Sequence, residues 1–202
     1  MDGRAFLHKF SYNSPVILTF SFISLGAMLL GKLTHDASTW LLFSVYRSSL
    51  LDPLFYVRLF CHVFGHVDFG HFVSNFVIIL LVGPMLEEKY GQKNMIVMMV
   101  ATAFVTGTMN VLFFQSALLG ASGIAFMLII LSSYANSKSD KIPLTLVLVF
   151  LVYVGQEVLQ GIYLADNISH FTHIVGGICG VVFGLFFQRR GFIKSEANNK
   201  KQ

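Results

Sequence analysis

Five stretches of this chain contain no Asp, Glu, Lys or Arg: 10–31, 69–86, 94–137, 142–156 and 167–188. Nothing else in the sequence constrains the fold as strongly. A membrane-spanning helix needs roughly 17–25 mostly apolar residues. The third stretch is too long for one span and is broken at Gln115-Ser116 and at Gly120-Ala121-Ser122-Gly123, so it reads as two helices. The fourth reaches residue 159 if Glu157 sits at an interface. The expectation is an all-α polytopic membrane protein with six helices near 14–31, 71–86, 94–114, 122–136, 142–159 and 169–188. The first run is 22 residues, longer than a signal-peptide core, and is expected to stay as a helix.

Composition closes the other classes. Charged residues make up 12% and hydrophobic residues 55%, against about 25% charged in a soluble domain. A soluble enzyme of this length could not hide that much apolar surface, and a disordered chain would not carry it. The net charge of +4 invites a nucleic-acid reading, but a basic groove needs clustered Lys and Arg. Here the charges punctuate apolar runs, so the expected partner is the lipid bilayer and not nucleic acid.

With six spans both termini share a side. That side holds Arg4, Lys9, Lys89, Lys93, Lys138, Lys141, Arg189, Arg190, Lys194, Lys200 and Lys201, against Lys32, Arg47 and Arg58 opposite. Basic residues mark the cytoplasmic face. The expectation is a cytoplasmic segment 1–13, a membrane domain 14–188 and a basic cytoplasmic tail 189–202. Residues 33–68 are too polar to span and too apolar to float, and read as an outward-facing interfacial loop. Cys61 and Cys179 are isolated and read as small buried hydrophobes.

Polar side chains inside a membrane are costly and point to function. Ser122 sits where a helix begins, between Gly120 and Gly123. The first N–H groups of a helix have no partner within it, so a nucleophilic oxygen and free donors coincide there. His173 is followed by Gly176, Gly180 and Gly184, all on one helical face, which lets two helices touch closely. His71 and Asn75 are i, i+4 and share a face. Taken singly, each feature is more often plain packing. Together they form a Ser–His pair with separate oxyanion donors, complete for acyl transfer. No carboxylate is placed to orient His173, so the pair would be a dyad.

On these residues the chain resembles the rhomboid intramembrane serine proteases. The matching pieces run in the family's order from Arg58 through Gly184: His62-x3-His66-x4-His71-x3-Asn75, Gly83-x3-Glu87, Gly120-x-Ser122-Gly123 and His173-x2-Gly176-x3-Gly180. The resemblance implies a six-helix bundle of the compact bacterial type with a short fourth helix starting at a submerged serine, and the basic-residue asymmetry puts the site toward the outer side of the expected bacterial cytoplasmic membrane. The resemblance also implies Ser122 as nucleophile, His173 as general base, and His71, Asn75 and the Ser122 N–H as oxyanion hole. Helix five and the 161–169 loop would gate single-span membrane-protein substrates. Arg58, Glu87, Gly176 and Gly180 would support the scaffold, and Thr106 and Asn110 would hold water near the serine. Phe126 stands where the family often has a tyrosine stacked on the histidine. Val57 stands where a tryptophan often precedes the loop arginine, and Thr172 where an alanine often precedes the histidine.

No cofactor or metal is expected. Two other readings compete. Five histidines, His62, His66, His71, His170 and His173, would suit a metal-dependent membrane hydrolase, but no Glu follows any histidine as HExxH requires. A catalytically inactive rhomboid-like binding protein is the other, against which stands the presence of both Ser122 and His173.

Overall fold

A computed structural model describes residues 11–135 and 167–189, with Leu144, Val147, Leu148, Leu151 and Val152 between them. The helices are α1 (Pro15–Leu33), α2 (Ala37–Leu42), α3 (Pro53–Cys61), α4 (Phe69–Tyr90), α5 (Gln92–Phe113), α6 (Ser122–Ala135) and α7 (Asn167–Arg189), with a 3-10 turn at His62–Phe64. Four of them, α1, α4, α5 and α7, are long and apolar enough to cross a membrane. Five of the six predicted helices are therefore seen. The predicted fifth, 142–159, lies outside the described residues apart from those five positions, as do most of 1–13 and of the 189–202 tail.

The ends of the helices follow from capping more than from hydropathy. Helix α4 starts at Phe69, two residues before the predicted start. There the Asp68 carboxylate accepts the His71 N–H at 2.8 Å, satisfying a donor the first turn cannot. It runs four residues past the charge-free stretch, to Tyr90. A helix ignores charges once its end reaches an interface. It is Gly91, at φ +79°, that turns the chain into α5. Residues 33–68, expected as a loop, contain α2, α3 and the 3-10 turn. Asp52 caps α3, accepting from the Leu54 N–H at 3.0 Å. Neither helix is long enough to betray itself by period.

Arg58 on α3 is buried, with 2% of its surface exposed. Its guanidinium pairs with Asp52 at 2.6 Å and donates to Ser48 Oγ at 2.9 Å. It lies 4.6 Å from the Tyr46 ring centre, where an aromatic face favours a cation. The same guanidinium, by hydrogen bonding and then by charge, holds the Asp52 carboxyl below the usual carboxylate range. Tyr46, distant in sequence from Val57, thus supplies an aromatic partner for this arginine.

Glu87 is 4% exposed, and its two oxygens accept the Val16 and Ile17 N–H groups at 3.0 Å each. A side chain on α4 therefore caps the start of α1, whose own Ser14 makes no side-chain cap. One turn earlier, Gly83 lies against the Ile17 side chain, where a Cβ would come within 2.6 Å of Cδ1. The Gly83-x3-Glu87 spacing joins α1 to α4 through one contact of each kind.

Helix α6 is the centre of the bundle. Gly123, Ile124, Ala125, Met127, Leu128, Ile130, Leu131, Tyr134 and Ala135 are all buried, so it is apolar over most of its surface, as an enclosed helix must be. Cys179 packs into the same core and, like Cys61, is a free thiol. Fourteen residues span only about 21 Å at 1.5 Å each, short of a hydrocarbon slab about 30 Å thick. The Ala135 carbonyl accepts a hydrogen bond from Lys89, beside the charged end of α4. Ser122 lies at the opposite end of the helix from this contact.

Candidate active site

Among the described residues, helices α6 and α7 make the most extensive contact. A Cβ on Gly176 would sit on the Gly123 carbonyl oxygen, one on Gly180 would lie 2.6 Å from the Met127 carbonyl oxygen, and one on Gly184 would enter the Tyr134 ring. The contacts advance together along both chains. The two helices therefore run in the same direction and start at one depth, which brings the ends carrying Ser122 and His173 together. The His173 ring stacks on Phe126, with centroids 4.2 Å apart and planes 7° from parallel. Phe126 is one turn after Ser122 and shares its face, so the imidazole is held over that face. On the other side of the serine, Gly123 is wedged between the methyl groups of Thr106 and Thr172.

Gly120 has φ +128°, a backbone conformation that L side chains rarely adopt. A side chain would be excluded here on steric grounds as well. A Cβ would lie 2.9 Å from His71 Cε1 and Nε2 and 3.9 Å from Asn75 Nδ2. The ends of His71 and Asn75 are thus aimed at the peptide just before Ser122. Asn75 is 6% exposed, and its Nδ2 has no hydrogen-bond partner among the described residues. A buried amide donor left unpaired is costly, and its exceptions cluster where a ligand completes the bond. His71 and His173 are near enough to interact electrostatically. A half-buried serine at a helix start, an imidazole beside it and two donors aimed at the same peptide suit attack on a carbonyl followed by charge on its oxygen.

The other predicted residues form the floor and walls. His62 Nδ1 faces the Leu59 carbonyl at 3.1 Å and Nε2 faces Thr106 Oγ1 at 3.3 Å. A carbonyl only accepts, so Nδ1 carries the proton and Nε2 is left as an acceptor facing the threonine hydroxyl, whose single proton also has the Thr102 carbonyl within reach. Burial pulls the His62 pKa down to about 4. His66 donates from Nδ1 to the Phe64 carbonyl at 3.2 Å and meets His71 edge-on at 5.0 Å. Its pKa is also held near 4, by burial first and then by the neighbouring His71. Thr106 Oγ1 also reaches the Thr102 carbonyl at 2.8 Å. Asn110 Nδ2 donates to the Val45 and Ser116 carbonyls at 3.3 and 3.0 Å, while its Oδ1 has no partner among the described residues. Among the described residues no three His, Cys, Asp or Glu side chains gather as they would around a metal ion.

The sequence reading missed the contacts that hold the segment before Ser122. Val45 and Leu118 exchange both backbone hydrogen bonds at 2.9 Å, and the Gly120 N–H donates to the His62 carbonyl at 3.0 Å. Such backbone pairings between distant segments leave no side-chain pattern to read.

The bundle is that of an integral membrane protein with a polar site built at the start of its central helix. The rhomboid domain matches residues 54–190, well over half of the chain, and the chain belongs to the rhomboid family. Comparison with curated proteins gives no match.

Proposed function

We propose that this protein is an intramembrane serine endopeptidase that cuts membrane-protein substrates in or near a transmembrane helix. The observation that carries it is the convergence of four groups on one spot: Ser122 at the start of α6, His173 stacked on Phe126, and the His71 and Asn75 ends aimed at Gly120. Membership of a family that generally consists of such proteases, though it includes inactive members, points the same way.

In this mechanism His173 takes the Ser122 Oγ proton as the oxygen attacks a peptide carbonyl carbon. The resulting oxyanion is held by the Ser122 N–H, His71 and the unpaired Asn75 amide. His173 passes its proton to the leaving amine and the C–N bond breaks, leaving an acyl-Ser122. Water, activated by His173, then hydrolyses the ester and restores the serine. The free Asn110 Oδ1 is an acceptor suited to holding that water. Extended substrate backbone is tolerable at this depth because it lies against protein and not lipid. The excess of basic residues on the side of the termini supports an outward-facing site in a bacterial cytoplasmic membrane, open to single-span substrates.

The test is cleavage of a single-span reporter by the protein in liposomes. Ser122→Ala should lower the rate about a thousandfold or more, with the thermal unfolding of the protein unchanged. A Ser122→Ala variant that cleaves at the wild-type rate sinks the proposal.

A further inference from the structure

We infer that Arg47, which lies outside the Ser122–His173 site, is the positioning residue that keeps these two groups in register by pinning the end of α5. The inference rests on the serine-protease reading above. Arg47 Nε donates to the Val111 carbonyl at 3.1 Å, and Nη2 donates to the Val111 and Leu112 carbonyls, each at 3.0 Å.

These carbonyls belong to the last turn of α5, where no intrahelical donor remains. The Phe114 N–H takes the Asn110 carbonyl at 2.8 Å, and Arg47 takes the next two. A guanidinium there also meets the negative end of the helix dipole. Near hydrocarbon an unpaired carbonyl costs more than it would in water.

The pinned turn supports both halves of the dyad. On one side it leads into Gln115–Ala121, the segment that delivers Ser122. That segment is already tied to the loop 44–62 at Leu118 by Val45 and at Gly120 by His62. Arg47 extends the same attachment two residues beyond Val45, so one short length of the loop grips the chain at 111, 112 and 118. On the other side, the Phe113 and Phe114 rings pack on Phe171, with centroids 5.8 and 5.2 Å away. Phe171 lies two residues before His173 on α7. A shift of this turn would therefore move nucleophile and base by different amounts. Displacements on the scale of an ångström cost about a hundredfold in rate.

The experiment uses the full chain in liposomes, with Arg47→Ala, Arg47→Lys and the wild type. Three quantities are read: kcat and KM for a single-span reporter, the rate of Ser122 labelling by a fluorophosphonate, and amide hydrogen exchange across 114–122. Arg47→Ala should lower kcat and the labelling rate together, by about tenfold to a hundredfold, with KM unchanged. It should also speed exchange at Leu118 and Gly120. Arg47→Lys should recover part of each loss, because one ammonium keeps the charge but not the fork. Wild-type labelling and exchange in Arg47→Ala overturn the inference, and so does a lowered unfolding temperature without a change in either. If the wild type neither cleaves nor labels, the protease reading fails. Exchange at 114–122 then still decides whether Arg47 holds the segment.

Discussion

Asn75 is the residue whose state says most about the site. Its amide nitrogen is buried and without a hydrogen-bond partner among the described residues, which is the condition expected of a donor reserved for a transient charge. Removing one such donor from an oxyanion hole costs about 10²–10³ in kcat. Asn75→Ala is therefore expected to lower kcat by that order, leaving KM and the unfolding temperature close to wild type. A KM effect without a kcat effect, measured on the same reporter, would move Asn75 out of the chemistry and into substrate binding. At this scale the candidate residues were legible in the sequence, because costly residues announce themselves. Ser122, His173, His71 and Asn75 are polar groups in apolar runs, and the fold brings His71 and Asn75 to Gly120 and His173 to Phe126. Arg47, Asp52 and Tyr46 were not legible. They sit in a loop where polar residues cost little and carry no signal, and their partners lie on other segments or in backbone carbonyls.

At the scale of the elements, the joint between α6 and α7 shows how a glycine can be decided by its neighbour. Gly176 and Gly177 are adjacent on α7 and chemically identical. A Cβ on the first would strike the Gly123 carbonyl, while one on the second would meet Ile130 Cγ1 at an ordinary 3.7 Å. The obstruction at Gly176 is main chain and cannot rotate aside. Gly176→Ala should destabilise the protein by about 1–3 kcal/mol through overpacking and spread α7 from Ser122, lowering activity. Gly177→Ala should be neutral or slightly stabilising, since alanine is the better helix former. Thermal unfolding of the pair in detergent distinguishes them, and equal effects would mean the two helices are not packed as described. The glycine face was readable from its four-residue spacing. Which helix it faced was not, because spacing describes one surface and says nothing of its partner. The same limit applies to α4, where Pro84 and the charges at 87–89 suggest an end that the helix passes through.

At the scale of the whole molecule, the interfacial loop and the helices around it share one buried pair of imidazoles. His62 and His66 are 1% and 2% exposed, and burial holds both near pKa 4, against an ordinary value of 6.5. Between those values the folded protein binds fewer protons than the unfolded chain. Its stability is therefore full above about pH 6.5 and falls as the pH drops toward 4. At about 1.4 kcal/mol per unit, each ring contributes on the order of 3 kcal/mol to that loss. Carboxylates titrate at the lower end of the same range, so the slope alone does not identify the histidines. His66→Phe supplies the control. The ring packs against Phe72 and Phe76, with centroids 5.4 and 5.6 Å away, and its Nε2 bonds to nothing among the described residues. An uncharged aromatic ring fits that setting at the cost of the one hydrogen bond to Phe64. Unfolding temperatures measured from pH 7.5 to 4.5 should fall less steeply for His66→Phe than for the wild type, and the two curves should converge on acidification. Parallel curves would mean that His66 is protonated in the folded state or exposed to water. Loss of activity should track this destabilisation on the acid side, because His62 and His66 link the loop to Thr106, Gly120 and His71, which hold the chain on either side of Ser122.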